Sequence, residues 1–139
     1  MKINEVVMRI LITGGTGLLG KSLVSRLFQE GHELTILTRS VKRAEIELPY
    51  PLNFVEWDYA DPSKNSITCS LENVDGIIHL MGENLAAKRW SDKQKKLIEE
   101  SRVKSTKILV DAINAETNSK IKFFITANAI GYYPLMHEN

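Results

Sequence analysis

Thr13-Gly14-Gly15-Thr16-Gly17-Leu18-Leu19-Gly20-Lys21-Ser22 is the stretch on which the reading of this chain turns. The run ahead of it, Met8-Arg9-Ile10-Leu11-Ile12-Thr13, is short, apolar and cut off by Gly14-Gly15, the pattern of a buried strand. Behind it, Leu18, Leu19, Leu23, Val24, Leu27 and Phe28 recur at helical spacing, and Gly31 is a good helix stop. A glycine turn between strand and helix presents bare backbone N–H groups and a helix N-terminus to an anion. Two phosphate-binding patterns fit at once. Gly15 to Ser22 matches G-x-x-x-x-G-K-S, the loop that wraps a nucleoside triphosphate. Gly14, Gly17 and Gly20 match G-x-x-G-x-x-G, a dinucleotide-binding turn. Helix phase separates them. Leu18 and Leu19 fall in phase with Leu23 and Leu27, so they read as the first helical turn, packed on the sheet. The helix then begins near Gly17, leaving too short a loop to wrap a triphosphate, with Lys21 and Ser22 on the second turn. The dinucleotide reading is favoured over the triphosphate loop and over a purely structural turn. In it Gly14 makes the turn, Gly17 admits the pyrophosphate and Gly20 lets helix and strand pack closely.

The remaining chain repeats the alternation. Glu33 to Thr38 reads as a second strand, Leu52 to Trp57 as a third, Gly76 to Met81 as a fourth and Ile121 to Thr126 as a fifth. Asp61-Pro62 resembles a helix start, which predicts a helix over Ser63 to Ser70 although its residues are weak helix formers. Ser91-Asp92-Lys93-Gln94 is a capping-box pattern. Behind it Leu97, Ile98, Ser101, Ser105, Ile108, Leu109, Ala112 and Ile113 make one apolar or small face. The polar stretch around Arg39, Lys42 and Arg43 and the tail from Ala127 carry no element. Short buried strands joined by helices predict a parallel α/β sheet covered on both faces.

At 139 residues the chain is expected to hold one domain over 8–139, with residues 1–7 as an N-terminal extension. A formal net charge of +1 gives no support to a nucleic-acid or membrane-surface role. The single cysteine, Cys69, cannot staple a fold or build a thiolate metal site, and no base nearby makes it a nucleophile. No apolar run approaches a membrane span, and the acid-bearing N-terminus is not a secretory signal, so a reducing, cytoplasmic setting is expected. His79, alone in an apolar strand with no partner at metal spacing, reads as structural, and no metal site is expected.

The sequence from Met8 to Gly20 resembles the start of an extended short-chain dehydrogenase/reductase. Further matches follow in order. Trp57-Asp58-Tyr59-Ala60-Asp61 looks like the Asp-x-x-Asp after the third strand, and Val74-Asp75-Gly76-Ile77-Ile78-His79-Leu80-Met81-Gly82-Glu83-Asn84 like the fourth-strand motif. Arg89-Trp90, Ser101-Arg102-Val103 with Ser105-Thr106, and Ala129-Ile130-Gly131-Tyr132-Tyr133 resemble the nucleoside-diphosphate-sugar epimerase-like subgroup. The resemblance implies a doubly wound, Rossmann-like sheet in the order 3-2-1-4-5, ending before the family's C-terminal substrate lobe. It also implies a dinucleotide cofactor, a sugar nucleotide as second ligand, and a homodimer through the helix after Ser91.

The residues assigned to the cofactor are Gly14, Gly17, Leu18, Leu19, Gly20, Thr38, Arg39, Asp58, Leu80, Met81 and Gly82. No acid stands among Thr38, Arg39 and Ser40, where one would bind the ribose 2′-hydroxyl of NAD. Arg39 instead suits the 2′-phosphate of NADP; NAD is the alternative, and a plain solvated arginine the bland one. Asp58 resembles the residue at the adenine edge, or serves as a turn residue. Glu83, Asn84, Lys88 and Arg89 read as a loop that either meets a substrate phosphate or is simply solvated. By family position alone, Asn128 and Tyr132 occupy the catalytic places. Asn128 stands where the family has a serine, and none of Tyr50, Tyr59, Tyr132 and Tyr133 has a lysine four residues on. These departures keep a non-catalytic dinucleotide-binding sensor or partner module open as the alternative to an epimerase or reductase.

Overall fold

The computed structural model describes residues 6–64, 67, 71–81, 91–116 and 119–127. Five strands, β1 (Arg9–Thr13), β2 (Glu33–Thr38), β3 (Asn53–Glu56), β4 (Gly76–His79) and β5 (Phe123–Thr126), form one sheet in the order β3-β2-β1-β4-β5. Every neighbouring pair is parallel. Three helices, α1 (Leu18–Gln29), α2 (Val41–Glu47) and α3 (Asp92–Ala115), flank it. The chain passes outward from β1 to β3, then returns to the other side of β1 to place β4. The order therefore reverses between β1 and β4, and the crevice beyond their carboxyl ends is where this class of sheet binds ligands.

Strand alternation divides the core into two layers. Ile10, Ile12, Ile36 and Ile78 pack with Val24 of α1 on one face. Leu11, Leu37, Ile77 and the fully buried Trp57 pack with Leu109 of α3 on the other. The sheet is thus covered from both sides, as the continuous apolar strands require. Among the described residues no helix is long and apolar enough to cross a membrane.

The structure corrects several expectations. Leu18 and Leu19 do open α1, but they are 94% and 62% exposed; Gly20 and Val24 supply its buried positions instead. On α3 the buried positions are Gln94, Ile98, Ser101, Ser105 and Leu109, and Leu97 is exposed. Asp61-Pro62 opens a turn rather than a helix. Asp61 Oδ1 accepts hydrogen bonds from the Ser63 backbone N–H at 2.9 Å and its hydroxyl at 2.7 Å, a local arrangement that competes with helical bonding. The rest of that predicted helix falls mostly outside the described residues. The sequence reading also missed α2. It buries only Ala44, so it has no apolar period, and its signals are the Ser40 cap and an Arg43–Glu47 pair one turn apart.

Candidate functional site

The turn after β1 is shaped by three glycines with three different constraints. Gly14 has φ +70°, a left-handed conformation, and a Cβ there would lie 2.7 Å from the Leu80 carbonyl carbon and 2.8 Å from the Met81 nitrogen. Backbone from the end of β4 therefore presses directly on it. At Gly20 a Cβ would overlap the Gly14 carbonyl oxygen and come within 2.8 Å of the Gly15 backbone, so α1 seats on the turn only through a bare Cα. Gly17 differs from both. Its φ is −71°, and among the described residues a Cβ would meet only the Gly14 oxygen, at 3.4 Å, with the outer side open.

Gly17 is the N-cap of α1, with no side chain capping the helix; its N–H donates to Gly14 O at 3.2 Å, and its C=O accepts from Lys21 N at 2.9 Å. A helix start leaves its first N–H groups without intrahelical partners and carries partial positive charge. Open space, uncapped N–H groups and that field together fit a pyrophosphate, and a side chain at position 17 would fill the space. The loop before the helix is as short as helix phase predicts. Lys21 sits on the second turn, 3.8 Å from Glu47 of α2.

The other assigned residues line the same carboxyl edge. Thr38 ends β2, its Oγ1 accepting from the Ser40 N–H at 3.2 Å. Arg39 follows, exposed, with no ion pair among the described residues, whereas Arg43 is held by Glu47 at 2.8 Å. That contact lowers the Glu47 pKa and raises that of Arg43. Asp58, half-buried just past β3, accepts from the Ala60 N–H at 3.0 Å, so its carboxylate serves the turn. Leu80 and Met81 continue past β4, which stops at His79 rather than Met81; the Leu80 N–H donates to Thr13 O at 3.1 Å and the Met81 N–H to Thr13 Oγ1 at 3.2 Å. Gly82, Glu83, Asn84, Lys88, Arg89, Asn128, Tyr132 and Cys69 lie outside the described residues.

A polar chain behind this edge went largely unread in the sequence. Thr13 Oγ1 lies 2.6 Å from His79 Nδ1, and His79 Nε2 lies 3.0 Å from Ser105 Oγ, all three residues being buried. The Phe124 ring tilts against the imidazole, centroids 6.3 Å apart. Thr13 and Ser105 share the α3 side of the sheet with His79; the sequence signal was one polar residue inside an apolar strand. Burial pushes His79 down from its ordinary 6.5 to about 4, and the Arg102 charge adds to the effect. The histidine is therefore neutral at physiological pH, in keeping with the structural reading.

The folded-state value lies below the unfolded one, so the unfolded chain takes up the proton first as pH falls through the window from 6.5 to about 4. Stability present above that window is lost across it. Between pH 8 and pH 5 the loss is about 2 kcal/mol. Urea unfolding across this range should show that slope in the wild type and lack it in His79→Phe; parallel slopes would contradict the assignment.

Known proteins share this architecture. The sequence profile of the NAD dependent epimerase/dehydratase family matches residues 10–138. An epimerase family protein of Staphylococcus haemolyticus is 36% identical over 126 residues, covering 91% of this chain and 39% of that protein. A chloroplastic epimerase family protein of Arabidopsis thaliana is 34% identical over 133 residues, 94% of this chain and 37% of that one. Among solved structures, the human epimerase family protein with NADPH superposes with a TM-score of 0.69 at 29% identity, covering 91% of this chain and 38% of that one. UDP-N-acetylglucosamine 4-epimerase from Bacillus cereus gives 0.65 at 25% identity, covering 93% and 38%. The chain thus spans less than two fifths of the length of each of these relatives. With the profile running across nearly all of it, and the glycine turn and sheet order in agreement, this chain belongs to the NAD dependent epimerase/dehydratase family and carries its dinucleotide-binding sheet.

Proposed function

We propose that the chain binds NADP along the carboxyl edge of the sheet and forms the cofactor-holding part of a sugar-nucleotide epimerase or reductase. The observation that carries this is the uncapped N-terminus of α1 with open space at Gly17, placed where the strand order reverses. Gly14 and Gly20 shape the cradle, and Leu18 and Leu19 lie exposed beside it. Thr38 and Arg39 face the adenosine ribose from the end of β2, Asp58 borders the adenine, and Leu80 and Met81 line the path toward the nicotinamide. The bound nicotinamide supplies hydride transfer. By family position, Asn128 and Tyr132 are the residues assigned to the substrate. A homodimer through α3 has support in Val103 and Val110, two turns apart and exposed on its outer side. A cytoplasmic setting belongs to the same proposal.

The preference for NADP rests on Arg39, an exposed cation without an ion pair among the described residues, and on the human relative solved with NADPH. Calorimetric titration should give NADPH an advantage of about tenfold or more over NADH, reversed in Arg39→Asp. Equal affinities in the wild type would remove the preference. Failure to bind either dinucleotide would remove the reading.

A further inference from the structure

We infer that His79 is a positioning residue for dinucleotide binding: held between Thr13 and Ser105, it aims the Thr13 hydroxyl that ties the end of β4 to the glycine turn. The inference rests on the functional reading above for its ligand and on the geometry of β1, β4 and α3 for the device itself.

The hydrogen bonds run in one direction. Ser105 spends its single hydroxyl proton on the Arg102 carbonyl, 3.3 Å away. Its oxygen is then free to accept from His79 at 3.0 Å, which puts the ring proton on Nε2. Nδ1 is left as an acceptor, and Thr13 Oγ1 at 2.6 Å donates to it. With that proton committed, the Thr13 oxygen turns a lone pair to the Met81 N–H at 3.2 Å. One neutral tautomer satisfies every member. The opposite tautomer makes Thr13 Oγ1 accept from both Nδ1 and the Met81 N–H, which leaves the Thr13 proton without an acceptor among the described residues, in a site where Thr13 and Ser105 are 0% exposed and His79 is 2% exposed. From α3, the charged group acting on His79 is Arg102, which disfavours a second positive charge.

The position of this chain gives it consequence. Thr13 and His79 are the last register partners of β1 and β4. Beyond them, the Thr13 hydroxyl carries the β1–β4 pairing one step further, to Met81. The backbone it fixes there is the same backbone that limits Gly14, whose absent Cβ would stand 2.8 Å from the Met81 nitrogen. Arg102 of α3 reinforces the arrangement at the end of the next strand, donating from Nη1 to the Ala127 carbonyl at 3.0 Å, while the Ala127 N–H donates to the His79 carbonyl at 3.2 Å. Through one imidazole and one guanidinium, α3 holds the carboxyl ends of β1, β4 and β5 in a fixed relation. A ring that only filled space would need none of these directions.

The test uses the intact chain, NADPH titration and nitrogen NMR of the histidine rings. At pH 7 His79 should report a neutral ring protonated on Nε2. His79→Phe should keep a folded sheet by circular dichroism and weaken NADPH binding about tenfold or more, as should Thr13→Val, and the double variant should be no weaker than either alone. His79→Asn, whose short amide reaches the place of Nδ1, should restore affinity to within about threefold of wild type. A ring protonated on Nδ1, full NADPH affinity in folded His79→Phe, or additive losses would overturn the inference. If His79→Phe does not fold, Ser105→Ala decides: it frees Nε2 alone and should weaken NADPH binding about threefold or more, and unchanged binding would overturn the inference. A wild type that binds neither NADPH nor NADH removes the functional reading and the role built on it together. Binding by the wild type with unaffected variants removes only the role of His79.

Discussion

Gly17→Leu is expected to melt within about 2 °C of the wild type and to lose NADPH affinity by roughly 100-fold or more. The two halves of that expectation have separate causes. Position 17 has φ −71°, a conformation open to any residue, and the added Cβ meets one oxygen at ordinary contact distance with open space beyond. The sheet and α1 therefore accept the side chain. The space it occupies is that over the first-turn N–H groups of α1, and an anion kept from them loses both hydrogen bonds and helix field. Thermal melting and fluorescence titration on one preparation separate the effects. Wild-type affinity in this variant would remove the pyrophosphate from the α1 N-terminus.

Gly20→Ala should show the reverse signature, a fold that suffers first. The single added carbon overlaps the Gly14 carbonyl oxygen and crowds the Gly15 backbone, none of which is a flexible side chain able to swing away. Alanine favours a helix over glycine by about 1 kcal/mol, so propensity alone predicts a gain. Overpacking against backbone exceeds it, and the net expectation is a loss of about 3 kcal/mol, roughly 10 °C in melting temperature. Calorimetric melting checks this. A variant as stable as the wild type would mean that α1 does not rest on the turn as described.

The contrast between these two glycines shows what the sequence could and could not disclose. Their spacing announced a strand, a turn and a helix, the apolar runs announced five parallel strands, and the family resemblance implied the order observed. β2 was legible to the residue, because Glu33 to Thr38 is bounded by Gly31 on one side and by polar residues on the other. Helix phase also weighed against a triphosphate loop, and α1 opens at Leu18 as it required. Periodicity misjudged Leu18 and Leu19, however, since apolar residues in a first turn face a ligand edge as readily as a core. It missed α2, whose single buried residue gives no period. The cofactor edge was legible as positions, not as contacts. Nothing in the spacing of Thr13, His79 and Ser105 says that three separate elements bring the two hydroxyl oxygens to 2.6 and 3.0 Å from the two ring nitrogens.

The reversal of strand order between β1 and β4 also sets when this edge comes into being. Thr13 and His79 are 66 residues apart in the chain, and a ribosome adding about 5–20 residues per second needs several seconds to pass from one to the other. β1, β2 and β3 are nearer to one another in the chain, joined through the crossovers that hold α1 and α2. The glycine turn is then present without its floor, because the backbone that bears on Gly14 comes from Leu80 and Met81. The backbone floor of the glycine turn is thus completed only when β4 inserts beside β1. A bound dinucleotide reinforces the completed sheet and not the half-built one that precedes it.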